Sequence, residues 1–363
     1  MKRDARTIWI DDKARAAGFA DGESLARRFE LKAYRIAQLY RAATKELAPG
    51  VSGVSVLSKE LREQLTAAGL RFDSLAPVAM QHSNDRQTTK GLLALRDGVE
   101  VETVLMQHFG DRNTVCISSQ AGCAYGCTFC ATGQGGFTRQ LSATEIFDQA
   151  RFFARDLLQR GKRITNIVFM GMGEPFANYD AVMDAVSLLN DPHGFGLGQR
   201  HVTISTVGVV PKIDRFADEA IQVNLAISLH APNDELRSQM MPVNRRWNLA
   251  ELMSACERYV KKTNRKVFFE YVMLAGVNDS AANANELAAL MRGHLYHANL
   301  IPYNATPDAE FSATPDVKIW EFAAIIEAAG VPVTVRANMG RDIAAACGQL
   351  RAETQPKARK ATA

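Results

Sequence analysis

Three thiols sit within eight residues of the run GCAYGCTFCATG at 122–133: Cys123, Cys127 and Cys130, spaced C-x3-C-x2-C. A structural zinc site takes four protein ligands, commonly as two C-x2-4-C pairs or a Cys/His mixture. No fourth ligand of comparable quality stands beside these three. Thiolates this close suit a cubane iron–sulfur cluster, each cysteine taking one iron. One iron then stays open to a small ligand, which a catalytic cluster needs and a four-cysteine electron carrier lacks. Two other readings remain: zinc completed by a distant fourth ligand, and cysteines packed as small buried apolar groups.

A second stretch, GMGEP at 171–175, follows the apolar run ITNIVFM at 164–170. Its glycines permit a tight turn and close backbone approach to a ligand, and Pro175 stiffens the exit. Carbonyls in that turn, with the Glu174 carboxylate, suit an ammonium group. Ser205, Ser228, His230 and Asn304 add short polar groups at the ends of strand-like runs. Taken singly, each carries little; a lone histidine at a strand end is often an ordinary satisfied group.

These residues need elements to hold them. From about 113 the pattern alternates strand and helix. VCISS leads straight into the cysteine loop, and Ser142 with Glu145 forms a capping-box pattern opening a helix over 143–160. ITNIVFM, VTIS at 202–205, VNLAISLH at 223–230, VFFEYVML at 267–274, NLIPYN at 299–304 and PVTVRA at 332–337 read as buried parallel strands. Helical stretches at about 178–189, 248–262, 284–292 and 316–329 separate them. Cys256 falls at an apolar position of the second and reads as core filler. About six βα units predict an α/β fold, an open (β/α)6 partial barrel with ligands at the carboxyl ends of its strands; a doubly wound sheet is the alternative. Upstream, 24–44 and 55–69 read as helices, the latter closed by Gly69, and 89–106 as a hairpin turning at Asp97-Gly98. The expected organisation is a small helical N-terminal domain at 1–75, a β-hairpin linker region at 76–112, the barrel at 113–352 and a disordered tail at 353–363.

With 363 residues, 47% hydrophobic and 23% charged, the chain has ordinary globular composition. Its opening, MKRDARTIWIDDKARAAGF, lacks an apolar signal-peptide core, and no stretch is long enough to span a bilayer, so a cytoplasmic protein is expected. Six cysteines, three of them clustered, do not resemble a secreted disulfide scaffold. The net charge of +4 is mild. Basic concentrations at 27–41 and 357–360 suit phosphate contact or a solvated surface equally.

The spacing C-x3-C-x-aromatic-C, with Phe129 in the aromatic place, resembles the signature of the radical S-adenosylmethionine superfamily. More sharply, the chain from about residue 30 to 352 resembles the RlmN- and Cfr-type 23S rRNA adenosine methyltransferases. The runs that carry this are VETV at 101–104, CISSQAGCAYGCTFCATG at 116–133, GMGEP, STVGVVP at 205–211, NLAISLHAPNDELR at 224–237, EYVMLAGVNDS at 270–280, NLIPYN and DIAAACGQL at 342–350.

The resemblance implies a 4Fe-4S cluster on Cys123, Cys127 and Cys130, and S-adenosylmethionine held through Gly173, Glu174, Ser205, Ser228, Leu229, His230 and Asn304. It implies two S-adenosylmethionine molecules per turnover, one to methylate Cys347 and one cleaved to a 5′-deoxyadenosyl radical. That radical takes hydrogen from the methyl group, and the resulting methylene radical adds to adenine. The route answers a real difficulty, since an adenine ring carbon is no nucleophile for a sulfonium methyl. Glu102 is then the proton acceptor, and Cys116 resolves the adduct through a transient disulfide with Cys347. Read alone, Glu102 is an exposed hairpin glutamate and Cys347 a small buried filler. Implied partners are adenosine 2503 of 23S rRNA, adenosine 37 of certain tRNAs and an electron donor such as flavodoxin or ferredoxin, with the enzyme a monomer. The stretch R-A-N-M before Gly340 departs from the more charged residues of many C2-methylating members. It leaves C8 methylation, which confers ribosomal antibiotic resistance, as the alternative to C2. A zinc-containing nucleic-acid-binding module is the reading from another class.

Overall fold

The computed structural model describes residue 9, residues 22–305 and residues 311–350. The tail at 353–363, with its basic run, lies outside the described residues. Strands β1 (Leu75–His82), β2 (Thr88–Leu95), β3 (Glu100–Gln107) and β4 (Asn113–Cys116) open the sheet as an antiparallel meander. A short separate ribbon of β5 (Gln120–Gly122) and β6 (Phe137–Gln140) brackets the cysteine loop. Then β7 (Asn166–Phe169), β8 (Val202–Thr206), β9 (Asn224–Ser228), β10 (Val267–Met273), β11 (Tyr296–Pro302) and β12 (Val333–Val335) continue from β4, every pair parallel. The sheet order β1-β2-β3-β4-β7-β8-β9-β10-β11-β12 never closes, leaving β1 and β12 as edges. Six crossovers between parallel neighbours make this the expected partial barrel, and the expected hairpin turns out continuous with its sheet.

Each crossover carries a helix, with ranges 143–159, 179–190, 210–218, 249–263, 281–291 and 316–328. The first starts where the sequence predicts: Ser142 accepts from the Glu145 amide while Glu145 reaches back to the Ser142 amide. Asn248 and Glu251 close the same box on helix 249–263. The strands bury the aliphatic side chains Ile167, Val202, Ile204, Leu225, Ile227, Val267 and Leu300 between sheet and helices, as a parallel sheet covered by helices requires. Cys256 is fully buried there as filler.

A buried cation helps to dock the helical segment ahead of β1. Arg151, on helix 143–159, donates from Nε to the Ala43 carbonyl at 2.7 Å and from Nη1 to the Phe72 carbonyl at 2.9 Å. It also pairs with Asp73 and reaches the Ala48 carbonyl. The predicted helix over 24–44 is broken in two, Gly22–Arg28 and Ala33–Thr44, at Glu30, which takes a left-handed φ of 51°.

Candidate active site

The carboxyl ends of the parallel strands converge on a pocket lined by Cys123, Cys127, Phe129 and Cys130 from the loop after β5, Gly173 and Glu174 after β7, Ser205 on β8, Ser228 and His230 at the end of β9, Glu270 on β10, Tyr303 after β11, and Cys347. Of the residues picked from sequence, Glu102, Cys116, Leu229 and Asn304 lie outside this lining. Leu229 is fully buried, its N donating to the Glu270 carbonyl at 3.0 Å and its own carbonyl accepting from Arg237 Nε at 3.2 Å. Asn304 is buried, its Nδ2 donating to the Pro302 carbonyl at 3.3 Å, and its Oδ1 has no partner among the described residues.

The GMGEP turn is shaped by its neighbour strand. Gly171 N donates to the Ile117 carbonyl, and Met172 O accepts from Ser119 and Gln120. A Cβ on Gly173, at φ +96°, would lie 2.4 Å from the Gln120 Cβ. Glycine is required there by packing against the chain itself, not by approach to a ligand alone. The Glu174 carboxylate accepts from Phe176 N at 2.9 Å and Val207 N at 2.8 Å. Burial raises it to about 7, with those amides pulling the other way. Behind it, buried Arg237 donates to the carbonyls of Val207 and Leu229, joining the turns after β8 and β9.

His230 is held in a left-handed conformation, φ 60°. Its Nδ1 accepts from Val272 N at 3.0 Å, which puts the ring proton on Nε2. Burial, with Arg237 adding to it, drops this imidazole to about 3, so it stays neutral. Its ring meets Phe129 edge-on at 4.7 Å. The aromatic residue of the cysteine motif is thereby seated against the end of β9.

Burial pushes the Cys123 thiol up to about 12, and raises Cys127 well above the usual range with Cys130 and Cys123 adding to the effect. Cationic iron held here would reverse that balance, because a metal-bound thiol gives up its proton. Among the described residues, no group of three or more His, Cys, Asp or Glu side chains is placed to hold a metal ion. All three thiols line the pocket, and a set of three suits one thiolate per iron of a cluster.

Cys347 reaches this pocket from the C-terminal loop. Ala131 N donates to the Gly348 carbonyl at 2.8 Å and Thr132 Oγ1 to the Leu350 carbonyl at 2.6 Å, latching that loop onto the cysteine loop. Cys347 is exposed to the pocket and not packed as filler. The surrounding protein still raises its thiol, while the Arg336 guanidinium works against that. Cys116, buried at the end of β4, is raised by burial and then by the nearby Cys347. All six cysteines are free thiols, so the expected Cys116–Cys347 disulfide is no part of this structure. Glu102 also departs from its reading in isolation: it is 4% exposed on β3, and its carboxylate pairs with Lys90 at 2.9 Å.

Residues 117–287 match the Radical SAM superfamily. The chain is 46% identical to the ribosomal RNA large subunit methyltransferase N of Nitrosopumilus maritimus, over 88% of this chain and 93% of that one. It is 48% identical to a probable dual-specificity RNA methyltransferase RlmN of Chloroflexus aurantiacus, over 88% and 87% respectively. The crystal structure of a radical SAM methyltransferase from Sphaerobacter thermophilus superposes with a TM-score of 0.88 at 49% identity, covering 92% of this chain and 97% of that one. The chain belongs to the RlmN family of radical S-adenosylmethionine methyltransferases.

As an RlmN-family enzyme it uses a 4Fe-4S cluster and S-adenosylmethionine. Among its described residues no helix is long and apolar enough to cross a membrane. The RlmN-family pocket also contains groups that the sequence reading passed over. Glu270 is 3% exposed, accepts from Asn299 Nδ2 at 2.9 Å and pairs with Arg336 at 3.0 Å, leaving Oε2 without a partner among the described residues. Its charge in the midst of VFFEYVML was the available sign, since a strand buried on both faces seldom carries one.

Proposed function

We propose that this chain methylates C2 of adenosine in 23S rRNA and in tRNA, carrying the methyl group on Cys347. The observation that carries the reading is the latch from Ala131 N to Gly348 O, with Cys347 lining the same pocket as Cys123, Cys127 and Cys130. In this reading those three thiols hold the cluster, which supplies the electron for reductive cleavage of S-adenosylmethionine. The GMGEP turn receives the amino group of S-adenosylmethionine, and Ser205 and Ser228, whose hydroxyls lie 3.4 Å apart on neighbouring strands, face its polar parts. Leu229, the Nε2–H of His230 and the Oδ1 of Asn304 complete the binding set. Two molecules are consumed per turnover.

The residues of this chain divide the remaining work. Cys347 accepts a methyl from the sulfonium, chemistry that a thiolate performs well. Arg336 beside it favours the thiolate against the desolvation by the surrounding protein that opposes it. Glu102 takes the proton from the substituted ring carbon. Cys116, near enough to Cys347 for the two charges to oppose each other, is the thiol that frees the product. The helical segment ahead of β1 acts as the RNA grip, residues 113–352 as the catalytic barrel. Flavodoxin or ferredoxin supplies electrons, and the enzyme works as a cytoplasmic monomer.

The uncharged Ala337, Asn338 and Met339 before Gly340 favour a second reading, C8 methylation. Anaerobic reaction with ribosomal RNA and tRNA, followed by nucleoside mass spectrometry against 2-methyladenosine and 8-methyladenosine, decides between them. The 2-isomer is expected from both RNAs; the 8-isomer, or unmodified adenosine, overturns the proposal.

A further inference from the structure

Lysine is seldom buried unless paired, and Lys90 is buried on β2 with its side chain 11% exposed. Two partners account for it. Its Nζ lies 2.9 Å from Glu102 Oε1, whose side chain is 6% exposed, and donates to the Ala344 carbonyl at 3.2 Å. Ala344 lies three residues before Cys347 and holds a left-handed φ of 48°, a conformation alanine adopts only under constraint. One ammonium therefore touches both the glutamate of β3 and the loop that carries the pocket thiol.

The strand register makes this arrangement more than a chance contact. Lys90 pairs with Val104, and Val104 with Cys116, so Lys90 and Cys116 flank the same β3 residue. Glu102 lies two residues from Val104 and shares its face. Lys90, Glu102 and Cys116 thus occupy one patch of sheet. The Cys347 loop packs on β2 and the turn before it: a Cβ on Gly340 would meet Thr88 Cγ2 at 2.7 Å, and Asp342 accepts from Asn84 N at 2.7 Å.

We propose that Lys90 is a positioning residue for the reaction, fixing the Glu102 carboxylate in register with the Cys347 loop so that base and methyl carrier meet the same adenine. This rests on the reading of Glu102 as the proton acceptor. It separates two stages. Methyl loading of Cys347 needs no base at Glu102 and proceeds without Lys90. Release of the RNA adduct needs Glu102 in place and fails without it.

The test compares full-length Lys90→Met, Lys90→Arg and Glu102→Gln, each reconstituted with iron and sulfide. Peptide mass spectrometry reads methyl on Cys347, and denaturing gels read RNA-linked protein over time. Lys90→Met should load methyl as wild type does, yet release the adduct more slowly by about tenfold or more, the scale of losing a partner that orients a functional group. Lys90→Arg, which keeps charge and donors, should recover release. A side chain that merely supports the fold would depress loading and release together and would not answer to charge. Lys90→Met that releases at the wild-type rate overturns the proposal. So does parallel loss of loading and release, or Arg behaving as Met does. If Glu102→Gln itself releases normally, the reading of Glu102 falls first and the Lys90 role with it. Stalled Glu102→Gln beside a freely releasing Lys90→Met sinks Lys90 alone.

Discussion

At the residue scale, burial separates groups that the sequence leaves alike. Glu102 in VETV reads as any hairpin glutamate, because alternation along a strand cannot say which face another element covers. The Cys347 loop covers that face and turns an apparently solvated carboxylate into half of a buried ion pair. Cys347 moves the other way, from apparent filler to a thiol facing the pocket. The three cluster cysteines were legible because their spacing alone encodes a shared site, whereas Lys90 and Glu270 depend on partners distant in sequence. Gly173→Ala tests the steric need for glycine in the GMGEP turn. With Gln120 at 2.4 Å and φ +96°, the variant should lose about 2–4 kcal/mol of stability, read as a lower denaturation midpoint in urea. An unchanged midpoint would mean that the turn can shift at little cost.

At the element scale, long periodic segments were legible and short or edge segments were not. Helices 143–159 and 249–263 announce themselves by capping boxes. Strand β1 does not: most of it is exposed, it carries Pro77, and its pairing slips between Pro77 and Ala79, as edge strands often do. The break at Glu30 has neither glycine nor proline to mark it. Helices 210–218 and 234–240 were missed because each is barely two turns long. The turn after β9 makes a pH prediction. His230 sits near 3 in the folded chain because it is buried, against about 6.5 when unfolded. The unfolded chain therefore binds the extra proton, and this residue's contribution is whole above pH 6.5 and lost as pH falls toward 3. The cost is up to about 1.4 kcal/mol per pH unit across that window. His230→Asn, which tolerates the left-handed backbone, should flatten the acid limb of a stability–pH curve; an identical limb in both proteins would contradict the assignment.

At the scale of the whole molecule, the helical segment and the barrel share a buried cation, so removing residues 1–75 would strand Arg151 without its Ala43, Ala48 and Phe72 carbonyls. Surface charge is the cleaner probe of RNA grip. Arg27, Arg28 and Lys32 are exposed, and changing all three to Glu should weaken RNA binding and flatten its salt dependence by about one log unit per log unit of salt for each phosphate left unneutralised. S-adenosylmethionine cleavage should be untouched. Equal loss of both activities would refute the division of labour. The central claim is that the methyl carbon reaches RNA through Cys347, and trapping the adduct tests it most directly. Cys116→Ala, reacted anaerobically with RNA, digested and sequenced by mass spectrometry, should yield one adenosine joined to Cys347 through the added carbon, with Cys347→Ala yielding neither adduct nor product. A Cys116→Ala enzyme that dissociates freely and makes normal product, or methylation by Cys347→Ala, would contradict the account.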